Sequence, residues 1–179
     1  SNVPMSASSA LRVSVLSQTR DDWVHNTVAN AATKDLEGYR DNALRVQYLL
    51  TSGNDFSALA NVHARDYSGS ARVFRANIIK PGTNDFVDGF DKTKVSFDGK
   101  NESEVQNYGA NLRLKWNLGG GLSLNSITGY ETVRTYSRGD IDGGSAYNFS
   151  GGAGTIPFPS DTADGLPNHR PFTQEMRLE

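Results

Sequence analysis

The 179-residue chain contains no cysteine. Disulfides, thiolate metal sites and thiol nucleophiles are therefore excluded. It also lacks an excess of charge of one sign. Eighteen Lys and Arg stand against 20 Asp and Glu, for a formal net charge of -2, which gives no electrostatic reason to expect nucleic acid as a partner. Long hydrophobic runs are missing. Mean hydropathy is -0.53, and no stretch approaches the ~20 consecutive apolar residues of a membrane-crossing helix. Helical periodicity is scarce. There is no P-loop, no G-x-S-x-G and no H-E-x-x-H, so no enzyme signature is present.

What is present is period two. Apolar residues alternate with polar ones in six stretches, near 10–20, 43–51, 55–67, 106–118, 121–137 and 172–179. The 106–118 stretch is the most regular: Tyr108, Ala110, Leu112, Leu114, Trp116 and Leu118 alternate with Gly109, Asn111, Arg113, Lys115 and Asn117. Six strands are expected.

The connections are of two kinds. Thr51–Asp55 and Asn117–Gly121 are short and contain glycine, as hairpin turns do. Asp21–Asn42, Ser68–Gln106 and Arg138–Pro171 are long and polar. Short and long alternate along the chain, which places all short turns at one end of a sheet and all long loops at the other. That is the arrangement of an outer-membrane β-barrel. Strands of this length also match the ~9–11 residues that a tilted strand needs to cross a bilayer.

The two faces differ. One is apolar. The other carries Arg12, Arg45, Gln47, Asn61, His63, Arg65, Asn111, Arg113, Lys115, Glu175 and Arg177. Burying such groups without partners in a packed core costs about 1–3 kcal/mol each or more, whereas a wet or filled barrel interior removes that cost. Phe56 and Trp116 fall at the short-turn end, and Tyr67, Tyr108, Tyr130, Tyr136 and Phe172 towards the long loops, as interface aromatics do. Centring the second turn between Asn117 and Ser123 pairs Trp116 with Leu124, Leu114 with Ser126, Ala110 with Tyr130, Lys115 with Asn125 and Gly109 with Glu131. Centring the first on Gly53 pairs Leu50 with Phe56 and Leu44 with Val62, and leaves Leu49 and Leu59 as apolar exceptions on the polar face. Six strands are fewer than the ~8 of the smallest closed barrels, and open edges are prohibitive in lipid. The expected fold class is therefore an all-β, antiparallel, up-and-down transmembrane barrel segment, part of a larger barrel.

Four stretches, in order, resemble one family. Leu122-Ser-Leu-Asn-Ser-Ile-Thr-Gly-Tyr130 with Asp140-Ile-Asp142, Phe172-Thr-Gln-Glu-Met-Arg-Leu178, Ala10-Leu-Arg-Val-Ser-Val15 with Arg20-Asp-Asp-Trp-Val-His-Asn26, and Ala43-Leu-Arg-Val-Gln47 are similar to strands of TonB-dependent outer-membrane receptors. Two departures are Asp22, where the family usually has Gly, and Glu179, where it has Thr or Ser. The family's plug domain, TonB box and terminal aromatic strand have no counterpart in these residues. The resemblance implies part of a 22-stranded barrel in a Gram-negative outer membrane, importing a scarce nutrient, most often a ferric siderophore. Its implied partners are the lipid bilayer, the plug and, through it, TonB, with no nucleic acid. It implies no enzyme activity, no cofactor and no resident metal. Arg45, Arg65, Arg113, Lys115, Glu131, Glu175 and Arg177 would face the lumen and plug, the basic ones pairing with plug carboxylates, Glu131 or Glu175. On the loop side Arg72, Phe74, Arg75, Tyr136 and Arg138 would suit an anionic aromatic ligand.

Blander readings stand beside these. Asp140-Ile-Asp-Gly-Gly144 opens like a calcium loop, but its twelfth position is Gly151 rather than Glu, which favours a strand end turning into a loop. His25, His63 and His169 are too far apart in sequence to suggest a metal site. The rival fold is a secreted soluble β-sandwich or carbohydrate-binding module with long binding loops, which would bury Leu112, Leu114 and Trp116 against a second sheet.

Overall fold

The computed structural model describes residues 2–145, 158 and 160–179. These residues form eleven strands and no helix. In chain order the strands are β1 (Asn2–Ser6), β2 (Ser9–Arg20), β3 (Val24–Asn26), β4 (Asp35–Leu36), β5 (Tyr39–Ser52), β6 (Phe56–Gly69), β7 (Lys94–Val95), β8 (Glu102–Gly119), β9 (Leu122–Gly139), β10 (Thr162–His169) and β11 (Phe172–Leu178). Eight of them make one antiparallel sheet in the order β1-β2-β5-β6-β8-β9-β10, with β11 also on β9. The sheet does not close on itself. A small second sheet, β4-β3-β7, forms among the long connections.

Two strands of the large sheet exceed the six expected from alternation. β1 is an edge strand interrupted by Pro4, with a register shift before Ser6. β10 reads Thr-Ala-Asp-Gly-Leu-Pro-Asn-His, with no apolar alternation and four residue types that strands disfavour, Asp, Gly, Pro and Asn. It exists because β9 supplies a template. β10 pairs with Val133–Gly139 and β11 with Leu124–Tyr130 on the same edge of β9, so the two are successive halves of one strand broken near Pro167 and Pro171. The other strands run further into the long connections than expected. β5 starts at Tyr39 rather than 43 and β8 at Glu102 rather than 106, while β6 and β9 end at Gly69 and Gly139. Apart from Tyr39 and Val105 those extensions are polar on both faces, so apolar alternation does not report them.

Short and long connections do alternate. Ala7–Ser8, Gly53–Asp55 and Gly120–Gly121 join strands at one end, and 21–38, 70–101 and 140–161 at the other. Gly120 and Gly121 both have positive φ, at 65° and 85°, the backbone of a tight type I′ hairpin. The β8–β9 register is the one read from the sequence: Trp116 opposite Leu124, Leu114 opposite Ser126, Lys115 opposite Asn125, Ala110 opposite Tyr130 and Gly109 opposite Glu131. The β5–β6 register differs. Ser52 pairs with Phe56, so the turn centres on Asn54, Leu50 meets Ala58 rather than Phe56, and Leu44 meets Ala64 rather than Val62. A shift of two preserves faces, and Leu49 and Leu59 are direct partners.

Register sorts the side chains. One row across the sheet reads Val13, Val46, Val62, Ala110, Tyr130 and Phe172. A row on the opposite face reads Ser14, Arg45, His63, Gly109 and Glu131. The apolar face is open: Val15, Leu44, Val62, Leu112, Trp116 and Met176 are all exposed, Trp116 by 53%.

The buried core lies elsewhere. Val24, Leu36, Val95 and Phe97 form one cluster, with Val73 packed against it, and all five come from the first two long connections or the short strands within them. Asn26 knits this cap together. Its Nδ2 donates to the carbonyls of Thr33 (3.0 Å) and Phe97 (2.7 Å), and its Oδ1 accepts from Val28 N. Truncating Phe97, which is 1% exposed, is expected to destabilise the cap by about 3–5 kcal/mol without unfolding the sheet. Native-state hydrogen exchange on Phe97→Ala checks this: amides of β3, β4 and β7 should lose protection while those of β8 and β9 keep theirs.

Candidate functional site

The polar face of the large sheet gathers the expected charged residues. Arg45, Arg65, Arg113, Lys115, Glu131, Glu175 and Arg177 fall on one face by register. Their pairing is local. Arg65 forks onto Asp41, Nε to Oδ1 at 2.9 Å and Nη2 to Oδ2 at 2.8 Å, a bidentate arrangement in which both donors are aligned. Asp41 sits on the extension of β5 that alternation misses. Arg177 pairs with Glu175 two residues away on the same strand.

Glu131 has a different partner from the Arg residues expected. Its Oε2 lies 3.0 Å from His63 Nε2, two strands away across Gly109. The missing side chain at Gly109 makes this possible, since a Cβ there would collide with the Glu131 carboxylate. Asn61 Nδ2 stands 3.2 Å from His63 Nδ1. Donation from that amide leaves the imidazole proton on Nε2, directed at Glu131. Asn61 is 6% exposed, and its Oδ1 has no hydrogen-bond partner. Among the described residues Arg45, Arg113 and Lys115 have neither a hydrogen bond nor an ion pair through their side chains.

The loop-side candidates divide. Arg72 and Phe74 are exposed on either side of Val73, which anchors the segment to the cap core. Arg75 is committed internally, donating to the carbonyls of Lys92 (2.9 Å) and Lys94 (3.4 Å). Arg138, at the end of β9, is taken by Asp161 at 2.9–3.0 Å, and Tyr136 is half-buried beside it on the same strand. The structure does not bring the five together as one ligand cradle. A face-to-face pair that sequence reasoning passes over, Phe86 and Phe90 at 4.4 Å, lies in the second long connection, with Phe86 exposed.

Asp140 is the most deeply buried charged residue among those described, at 1% exposure. It ties the root of the third long connection to the second: Oδ2 accepts from Gly99 N (3.1 Å) and Oδ1 from Gly143 N (2.7 Å). Asp161 works beside it, accepting from Lys100 N at 3.0 Å, and its bond with Arg138 holds its carboxyl below the usual range. Burial pushes Asp140 up to about 6, against the two backbone donors, with the nearby Asp142 carboxyl adding to the rise. As a calcium loop the segment is incomplete. The Asp140 oxygens are occupied by N–H donors, and Gly151 lies outside the described residues. The histidines stay apart: His25 meets Asp35 at 2.6 Å in the cap, His63 lies in the sheet and His169 on β10.

Comparison with family models, with curated protein sequences and with solved structures finds no match to this chain.

Asp140 gives the cap a pH dependence. Its folded-state value lies above that of an unfolded carboxyl, so its contribution is complete below the ordinary carboxylate range and is lost as pH rises through about 6. Protection factors of the Gly99 and Gly143 amides are expected to fall between about pH 4, near the ordinary carboxylate value, and about pH 7, one unit above the raised one, and to level off beyond it. In Asp140→Asn they should be flat over the same range.

Proposed function

We propose that this chain is a stretch of wall and surface loops from an outer-membrane β-barrel of the TonB-dependent receptor type, a transporter that imports a scarce nutrient such as a ferric siderophore. The observation that carries the reading is the inverted distribution of apolar side chains. The broad apolar face of the sheet is exposed, and the hydrophobic core is confined to the connections at one end. In water such a face is costly, since burying one large aliphatic or aromatic side chain gains about 1.5–3 kcal/mol. In lipid it is the correct outer surface.

The dimensions agree. From Tyr108 to Trp116 the apolar face of β8 spans eight residues, about 27 Å at ~3.4 Å each, or about 21 Å after a ~40° tilt. The band expected of such barrels is ~25 Å. Phe56 and Trp116 meet edge to face at 6.3 Å at its short-turn border, and Tyr108 stands at the other. Beyond that border the same face turns polar, with Ser17, Asn42, Asp66, Gln106 and Arg134 in one row. Both outer edges of the sheet offer unpaired backbone groups, and in lipid these require further strands. A soluble sandwich would bury Leu112, Leu114 and Trp116; Leu112 and Trp116 are exposed and Leu114 is half-buried.

In this reading the polar face lines the lumen, the capped long connections face outwards to meet the nutrient, and no bond is made or broken. The two tryptophans test it. Trp116 lies in the apolar band and Trp23 in the cap. In vesicles with brominated acyl chains, the fluorescence of Trp23→Phe (Trp116 remaining) should be strongly quenched and that of Trp116→Phe little affected. A water-soluble monomer with Trp116 unquenched would sink the proposal.

A further inference from the structure

Four Asp-Gly steps punctuate the chain, at Asp88, Asp98, Asp142 and Asp164. In such a step the glycine nitrogen can attack the aspartate Cγ, because no side chain on the glycine obstructs a five-membered ring. Ring closure needs nitrogen and carbon within about 3–3.5 Å, so the carboxyl and the intervening peptide must both be free to turn. Three of the four are not free. Asp98 is buried, its Oδ1 accepts from Ser160 N at 3.4 Å, and Gly99 N donates to Asp140. After Asp142, Gly143 N donates to Asp140 Oδ1 at 2.7 Å, and a Cβ on that glycine would stand 2.8 Å from Ala76 N. Asp164 and Gly165 lie in the β10–β9 ladder opposite Ser137 and Tyr136, with Gly165 pressed against the Thr135 carbonyl.

Asp88 differs on every count. Its side chain is 94% exposed, and its one ion pair is with Lys80 at the surface, at 2.7 Å. Exposed pairs of this kind hold their partners weakly. Gly89 has a φ of 75° and open space where a side chain would stand. Its nitrogen makes no hydrogen bond among the described residues. The turn itself is closed by a single bond, from Phe90 N to the Val87 carbonyl at 3.2 Å.

We infer that Asp88-Gly89 is a site of backbone isomerisation, with solvent water as its only co-reactant. Gly89 N bonds to the Cγ of the protonated Asp88 carboxyl. The Cγ–OH bond breaks, and the hydroxyl leaves with the amide proton as water, giving a succinimide. Water then adds at the Asp88 main-chain carbonyl carbon, the bond from that carbon to Gly89 N breaks, and the chain runs through Cγ instead. One water is lost and one regained, so mass is unchanged and nothing is oxidised or reduced. The product carries an extra methylene in the main chain. It opens the turn that sets Phe90 against Phe86, whose rings lie 4.4 Å apart. Phe86 is bridged to Ile79 across this small hairpin, and both are exposed. The change therefore reshapes an exposed tip of the second long connection rather than the cap core. The chemistry is the same whether the sheet stands in lipid or in water.

The test incubates the full chain in detergent micelles in mildly acidic buffer, with a parallel sample in denaturant, and maps peptides over time. Isoaspartyl peptides keep their mass, elute apart from the parent and resist the protease that cleaves before aspartate. They also accept a methyl group from S-adenosylmethionine through a protein-isoaspartate methyltransferase. In denaturant the four steps should react at comparable rates, since only the dipeptide is left to decide. In the folded chain Asp88 should keep most of its rate, while each of the other three slows at least about tenfold, because it reacts only through local opening. Asp88→Glu keeps the charge but would require a six-membered ring, and should abolish the product in the peptide containing Gly89. A folded-state rate at Asp88 no higher than that at Asp98, Asp142 or Asp164 overturns the proposal. So does an isoaspartyl signal in that peptide that persists in Asp88→Glu.

Discussion

Continuous antiparallel pairing over strands of 14 to 18 residues is the constraint on which the rest depends. Once the ladder is set, each side chain is committed to one of two faces, and a slip of one residue would exchange them. Such a slip in β8 would move Arg113 and Lys115 into the row system of Val62 and Leu112. The turns prevent it. Successive glycines with positive φ at 119–121 admit a two-residue reversal that side-chain-bearing residues resist, and that reversal fixes which residue of β9 meets Trp116. Local backbone chemistry in a few glycines thus decides the chemistry of two surfaces many residues long.

The molecule buries hydrophobic surface in two ways that do not compete. The cap makes a small dry cluster of Val24, Leu36, Val95 and Phe97, closed by side-chain-to-backbone bonds from Asn26, Asp140 and Asp161. Such bonds satisfy loop backbone that has no ladder to join. The sheet makes no core of its own, and its apolar residues face outwards in rows. Because the cluster draws on connections rather than on either broad face, the connections can hold a defined shape while both faces of the sheet stay available to other surroundings.

How much of this could be read in the sequence follows from where periodicity exists. β8 alternates without interruption and β9 starts in phase with it beyond a three-glycine turn before drifting into Thr, Ser and Tyr, and the register around that turn is legible in the sequence. Between β5 and β6 the residues Ser52 to Asp55 permit reversal about Gly53 or Asn54. The alternation fixes parity, and so the faces, but not the choice of centre. β10 carries no period at all and is imposed by its neighbour. The cap core is silent for another reason: strands of two or three residues show no alternation, and Val24 meets partners about seventy positions away. Asp140 looks like an ordinary turn residue, because only the approach of Gly99 from a distant segment buries it. The His63–Glu131 pair, 68 positions apart, depends on the absence of a side chain at Gly109, and a glycine in a strand signals only that something approaches closely.

That glycine also explains why the polar face is divided rather than uniformly charged. On the Arg45 row a gap lets an acid reach a histidine two strands away, and on β5 the extension beyond the apolar alternation supplies Asp41 for Arg65. Asp41 and Arg65 thereby neutralise each other within the sheet, and Glu131 is held there by a hydrogen bond. Towards the short turns Glu175 lies beyond Ile127 and is held by Arg177, while Glu179 continues the same face and accepts from Nδ2 of Asn125, the β9 partner of Lys115.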